Sequence, residues 1–198
     1  KYLRIFLYHG GWIRGLKRCI DTFREVDMFD LRRPGINTRE NLRTGYSNNK
    51  YNFYAPVYSS VSEEMLYQSH QYWTSAIRYT DFSAETIFVD LGCGSGKTLI
   101  QAKEMNRFDH IFGVELLPIL SNRARKNLVV NHKVNNTNII DGKVEEEVWM
   151  KQLISLAKPS PKTTIFIFNK NSYGSDVLKK SLDVIESSFK NIIYLYQK

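Results

Sequence analysis

The second half of the chain predicts an α/β fold with a doubly wound, mainly parallel sheet, preceded by a helical N-terminal extension. Three observations carry this prediction. Apolar, β-branched runs alternate with helical patterns five times between Thr86 and Tyr196. Each connection is long enough for the helical crossover that parallel strands require. The first run ends in an acid and three glycines at alternate positions, Asp90-Leu91-Gly92-Cys93-Gly94-Ser95-Gly96, just before a segment that can start a helix.

The chain is 198 residues long, which allows one proper core with an extension. Its net charge of +8 is concentrated at one end. Residues 1–60 hold 11 Lys and Arg against 5 Asp and Glu, whereas residues 61–198 hold 17 against 15. The basic third suits an acidic partner such as nucleic acid, or forms a solvated face. No apolar run reaches the roughly 18 residues that span a bilayer, so no membrane partner is expected. Arg4, His9 and Arg14 interrupt any signal-peptide core. Cys19 and Cys93 have neither metal-ligand spacing nor the numbers for a disulfide framework, which predicts a reducing, cytoplasmic setting. His9, His70, His110 and His132 are scattered, and no metal is expected. A start at Lys1 and a stop just after the fifth strand predict that sequence is missing, including C-terminal strands.

In chain order, Trp12, Leu16, Ile20 and Phe23 predict a helix over 11–27. Pro34-Gly35 ends that regularity, and residues 31–60 read as a long loop carrying Tyr51, Phe53, Tyr54 and Tyr58. Ser60 or Ser62 can cap a second helix, with Glu63 and Glu64 in its first turn and Val61, Met65, Leu66, Trp73 and Ile77 on its buried side. Strands are then expected at 86–91, 110–115, 137–141, 163–169 and 191–196. Helices are expected at 97–106, 117–131, 145–157 and 175–189, the last with Leu178, Leu182, Ile185 and Phe189 on one face.

The glycine stretch admits three ligands. A phosphate-binding loop needs a glycine five residues before Gly96, and that position is Leu91. A dinucleotide fingerprint fits Gly92 and Gly94 but places Lys97 where its third glycine belongs. The third reading is S-adenosylmethionine (SAM). Phe88 to Gly96 resembles in full the first motif of the class I SAM-dependent methyltransferases, hydrophobic-hydrophobic-Asp/Glu-x-Gly-x-Gly-x-Gly.

That resemblance covers residues 86–196. It implies a Rossmann-like methyltransferase fold, SAM as cofactor, and residues 81–198 as the methyltransferase core behind a basic extension over 1–80. It also implies roles. Asp90 lies near the methionine amino group, and Gly92, Gly94 and Gly96 let the backbone approach the cofactor. Glu115, ending Ile111-Phe112-Gly113-Val114-Glu115, accepts from the ribose hydroxyls. Asp141, in Asn138-Ile139-Ile140-Asp141-Gly142, receives the adenine amino group. Tyr54 or Tyr58 touches the methionine end or fills space over the sheet.

On the acceptor side, Asn169 and Tyr173 occupy places comparable to the Asn and aromatic of amino-group methyltransferases, without the intervening prolines. The segment is closer to the Asn-rich fourth motif of lysine methyltransferases built on this sheet. It also resembles the strand end of small bacterial methyltransferases, whose N-terminal segment is similar to Phe29–Thr38 here. Asn169 alternatively caps the following turn. The implied activity is methyl transfer, and the basic, aromatic-rich N-terminal third favours a protein or nucleic acid over a metabolite as acceptor. The alternatives are a catalytically inactive SAM-binding scaffold or partner subunit and, less well matched, a P-loop-like nucleotide-binding protein.

Overall fold

A computed structural model describes residues 30, 32–38, 46–48, 53–55, 84–130, 136–170 and 175–197. The helices expected over 11–27 and from Ser60 or Ser62 lie outside the described residues. The chain divides between Pro34 and Gly35 into two units, and every element below belongs to the second.

Within the region expected to be loop, β1 (Tyr46–Asn48) and β2 (Phe53–Ala55) pair antiparallel, with Ser47 opposite Tyr54. Strands of three residues are too short to show the alternation by which a strand is read from sequence.

The remaining elements alternate as expected. They are β3 (Thr86–Leu91), α1 (Lys97–Glu104), β4 (His110–Glu115), α2 (Pro118–Val130), β5 (Thr137–Asp141), α3 (Val148–Ala157), β6 (Thr164–Lys170), α4 (Ser175–Glu186) and β7 (Asn191–Gln197). The five long strands form one parallel sheet in the order β5-β4-β3-β6-β7. Strands with neighbours on both sides and helices on both faces carry near-continuous apolar runs, and all six residues of β3 are buried.

Alternation along the strands sorts their side chains onto two faces. Ile87, Val89, Leu91, Phe112, Val114, Ile165 and Ile167 pack with Trp149, Met150 and Leu153 of α3 and Ile185 of α4. The Trp149 indole N–H donates to the Val144 carbonyl at 2.9 Å, so this large ring is buried without an orphaned donor. On the opposite face, beneath α1 and α2, the rings of Phe88 and Phe166 flank that of Phe108 at 5.1 and 5.2 Å. Gly113 lies on this face, where a β-carbon would come within 2.6 Å of both Cys93 Sγ and Leu99 Cδ1. The absence of a side chain there lets the glycine loop and α1 settle onto the sheet.

The helices end for local reasons. Asn106 adopts φ 50, which closes α1 two residues short of the expected end. Ser187 Oγ donates to the Val184 carbonyl at 2.8 Å, competing with helical continuation of α4. No helix among the described residues is long and apolar enough to cross a membrane.

Strand order reverses between β3 and β6, the neighbours from which the chain builds outward in opposite directions. In open α/β sheets the crevice at the carboxyl ends of such a pair is where ligands bind. The glycine loop leaves β3 at this crevice.

Candidate active site

The loop from Gly92 to Gly96 is pinned by backbone hydrogen bonds. Gly92 and Cys93 N–H both donate to the Val114 carbonyl, at 2.8 and 3.1 Å, and Gly96 N–H donates to the Cys93 carbonyl at 2.9 Å. Gly92, Gly94 and Gly96 have φ of 78, 55 and 83, a region that side chains disfavour and glycine enters freely. At Gly96 space is short as well, since a β-carbon would sit 3.1 Å from that of Ala124 in α2.

The three acids come together as expected at neighbouring strand ends, on the α1/α2 face. Asp90 pairs with Gly113 across β3 and β4, and Glu115 pairs with Asp141 across β4 and β5. Glu115 is buried, and its carboxylate oxygens accept from backbone donors. Leu117 N–H reaches Oε1 at 2.8 Å, and Gly94 N–H reaches Oε2 at 2.9 Å. The carboxylate is therefore held in one orientation against the loop, with lone pairs remaining for ligand hydroxyls. Burial raises its pKa, the backbone N–H groups of Leu117 and Gly94 oppose that rise, and the Asp141 charge adds to it.

Asp90 is buried more deeply, and its Oδ2 accepts from the Thr98 hydroxyl in the first turn of α1. Desolvation pushes its pKa up to about 7, against the Thr98 hydrogen bond and with a contribution from Glu115. The Thr98, Gly94 and Leu117 donors that meet these two carboxyls are neutral groups. Two buried acids that resist ionisation suit a cationic ligand, whose charge would stabilise their carboxylate forms. Nearby Cys93 is buried too; desolvation first, then the Glu115 and Asp90 charges, push its thiol well above the usual range. It therefore packs as an apolar group and is not a nucleophile.

Asp141 is half exposed, and its Oδ2 pairs with Arg125 Nη2 at 2.8 Å. The same guanidinium donates to the Ile139 carbonyl at 3.1 Å and, through Nη1, to Ser121 Oγ at 3.2 Å. A pair this exposed is worth little, so a ligand donor competes with it readily.

The same contacts remove the phosphate reading. The Thr98 hydroxyl, which a phosphate loop offers to a metal ion, is bonded to Asp90, and Lys97 is only 3% exposed. Among the described residues no group of three or more His, Cys, Asp or Glu could hold a metal.

Asn169 sits across the crevice near the end of β6, one residue beyond the pairing of Asp90 with Phe168. By alternation it shares the α3/α4 face with Ile167, opposite to the acids. It is 1% exposed; its Nδ2 donates to the Tyr194 hydroxyl at 3.2 Å, while Oδ1 has no partner among the described residues. A buried carbonyl left this way is an acceptor awaiting an N–H or O–H donor. Tyr54 is placed by its backbone in β2, and Tyr58 and Tyr173 lie outside the described residues.

Three contributors escape sequence reading: Thr98, Arg125 and Asn127. Asn127 had a faint signal, being a polar residue in helical phase with Leu120, Ala124 and Leu128. Thr98 and Arg125 had none, because each acts on an acid belonging to a different element.

The chain is similar to several known proteins. An uncharacterized RNA methyltransferase of Staphylococcus aureus (strain COL) is 27% identical over 99 residues, 46% of this chain and 21% of the relative. The chain thus spans about a fifth of the length of the curated relatives it matches. Among solved structures, the methyltransferase domain of bacterial CtHen1 is similar at TM-score 0.47 and 17% identity, over 65% of each chain. M. capricolum TrmK in complex with S-adenosyl-homocysteine is similar at TM-score 0.44 and 14% identity, over 69% of this chain and 51% of that one. The family model described as Histone methylation protein DOT1 matches residues 45–159, more than half the chain and all of it from β1 through α3. With a glycine loop, neighbouring strand-end acids and a parallel sheet in that span, the chain belongs to the DOT1 histone-methylation family of class I SAM-dependent methyltransferases.

Proposed function

We propose that this methyltransferase acts on a nitrogen of a macromolecule, with a protein side-chain amine as the leading acceptor, in a reducing, cytoplasmic setting. The observation that carries the acceptor atom is the buried Oδ1 of Asn169, which has no partner among the described residues. An amide oxygen holds an N–H and leaves the nitrogen lone pair directed elsewhere, which in-line attack requires. The protein acceptor is supported by the family, whose model is described by histone methylation. A nucleic-acid acceptor is the second reading, favoured by the RNA methyltransferases among the relatives and by the basic first 60 residues.

When bound, SAM supplies an electrophilic methyl carbon on a positively charged sulfur. The chain's part is to bind and orient. Asp90 faces the methionine ammonium, Glu115 accepts from the ribose hydroxyls, and Asp141 receives the adenine amino group. Gly92, Gly94 and Gly96 keep that approach open, Tyr54 or Tyr58 is assigned to the methionine end, and Tyr173 joins Asn169 on the acceptor side. Residues 1–80 act as the extension that meets the acceptor.

Incubation with methyl-labelled SAM, core histones, total cell protein and total RNA tests this reading. Label should appear in a protease-sensitive fraction. Nuclease-sensitive label would move the acceptor to RNA, and SAM binding without transfer to any fraction would favour the scaffold alternative. Reversing the charges of Arg32, Arg33 and Arg43 together should slow turnover on the macromolecule by about tenfold at low salt, the order of an electrostatic steering effect. Unchanged turnover and unchanged salt dependence would instead indicate a small acceptor.

A further inference from the structure

The segment Gly35–Thr38 is part of a stretch that the motif reading leaves without a role, yet it is tied to the glycine loop through one side chain. Asn127 of α2 is 3% exposed and uses both ends of its carboxamide. Its Oδ1 accepts from Asn37 N–H at 3.0 Å, and its Nδ2 donates to the Asn37 carbonyl at 2.9 Å, as a neighbouring strand would. Nδ2 also donates to the Ser95 carbonyl at 2.9 Å, between Gly94 and Gly96. The three contacts fix the amide's orientation, because a flipped group would set donor against donor. Gly35, at φ 85, lies against the end of α2, where a β-carbon would sit 3.0 Å from Val130 Cγ1, and Ile36 and Thr38 are buried. Besides its backbone bonds to Val114, the loop therefore has two side-chain anchors, Glu115 holding Gly94 from β4 and Asn127 holding Ser95 from α2.

We propose that Asn127 makes Gly35–Thr38 part of the cofactor site, so that SAM binding and docking of this segment favour each other. The proposal rests on the glycine loop being the SAM site. Ordering the Ser95 peptide for the ligand also orders the amide that grips Asn37. By linkage, the docked segment must then raise SAM affinity by the same factor that SAM raises docking. Asn127 is a positioning residue in this scheme and touches no ligand. Through it, whatever engages Gly35–Thr38 is felt at the cofactor loop.

The test uses the full chain and SAM alone. Hydrogen exchange at the Asn37 amide should slow at least tenfold when SAM saturates the wild type. Asn127→Ala should weaken SAM binding about tenfold and abolish that response. Asn127→Asp keeps an acceptor for Asn37 N–H but loses both donations; if Ala fails to fold, Asp takes its place, with the same roughly tenfold loss of SAM affinity and loss of the exchange response expected. Asn37 exchange that ignores SAM in the wild type overturns the proposal without any variant, as does wild-type SAM affinity in a folded Asn127 variant. Glu115→Ala is measured alongside. If it too keeps wild-type affinity, the cofactor reading itself has failed; if it alone weakens binding, only the Asn127 coupling has.

Discussion

Asp90→Asn should make the ligand-free protein more stable while weakening its hold on SAM, and the stability gain should grow with pH. The folded-state pKa of Asp90 is raised from 3.8 to about 7, chiefly by burial. A raised acid binds its proton more tightly in the folded state, so its contribution is fully present below pH 3.8 and is lost as pH rises through about 7. A shift of about three units corresponds to about 4 kcal/mol of destabilisation once the pH is above both values. An asparagine removes the ionisation and can still accept from the Thr98 hydroxyl. Urea unfolding should show the advantage of the Asp90→Asn variant over wild type widening by about 2–3 kcal/mol between pH 5 and pH 8. Parallel pH profiles for the two proteins would mean that Asp90 does not titrate in that window. Keeping a costly buried acid is understandable where a cationic ligand relieves it, and this is the sense in which stability is given up at a functional site.

Glu115→Ala should weaken SAM binding by roughly 1.5–3 kcal/mol, the usual worth of hydrogen bonds to a charged group, or about 10- to 150-fold in dissociation constant. The structure adds a second reason for a large effect. Alanine also strips the partners from Gly94 and Leu117 N–H, so a side-chain anchor of the loop is lost together with the ligand contact. Glu115→Gln separates the two contributions: one amide oxygen can keep a backbone N–H, while its NH2 group faces the other donor. It should fall between wild type and Ala. Wild-type affinity in Glu115→Ala would remove Glu115 from the ribose role.

These expectations depend on features that differ in how legible they were from sequence. The five core strands are found at the expected positions, to within a residue at their ends, because each is an apolar run closed by an acid, a glycine or a polar turn. The acids of β3, β4 and β5 could be placed on one edge because a parallel sheet forces successive strand ends together. What escaped is tertiary. Asn127 meets Asn37 across 90 residues of chain, and Arg125 bonds Asp141 from a neighbouring helix. No local periodicity encodes such pairings. Thr98 could be read only as the start of a helix, since its partner lies in the preceding strand. Asn169 was legible as a residue, but its lodging on the α3/α4 face beside Tyr194 was not.

The central claim is that the loop Gly92–Gly96 holds a sulfonium nucleoside and neither a triphosphate nor a dinucleotide. Calorimetric titration of the full chain with SAM, ATP and NAD tests it most directly. SAM should bind saturably at one site per chain, with binding lost or weakened in Glu115→Ala and no comparable binding of ATP or NAD. Saturable ATP or NAD binding, or no heat from SAM at concentrations where the protein is folded, would contradict it.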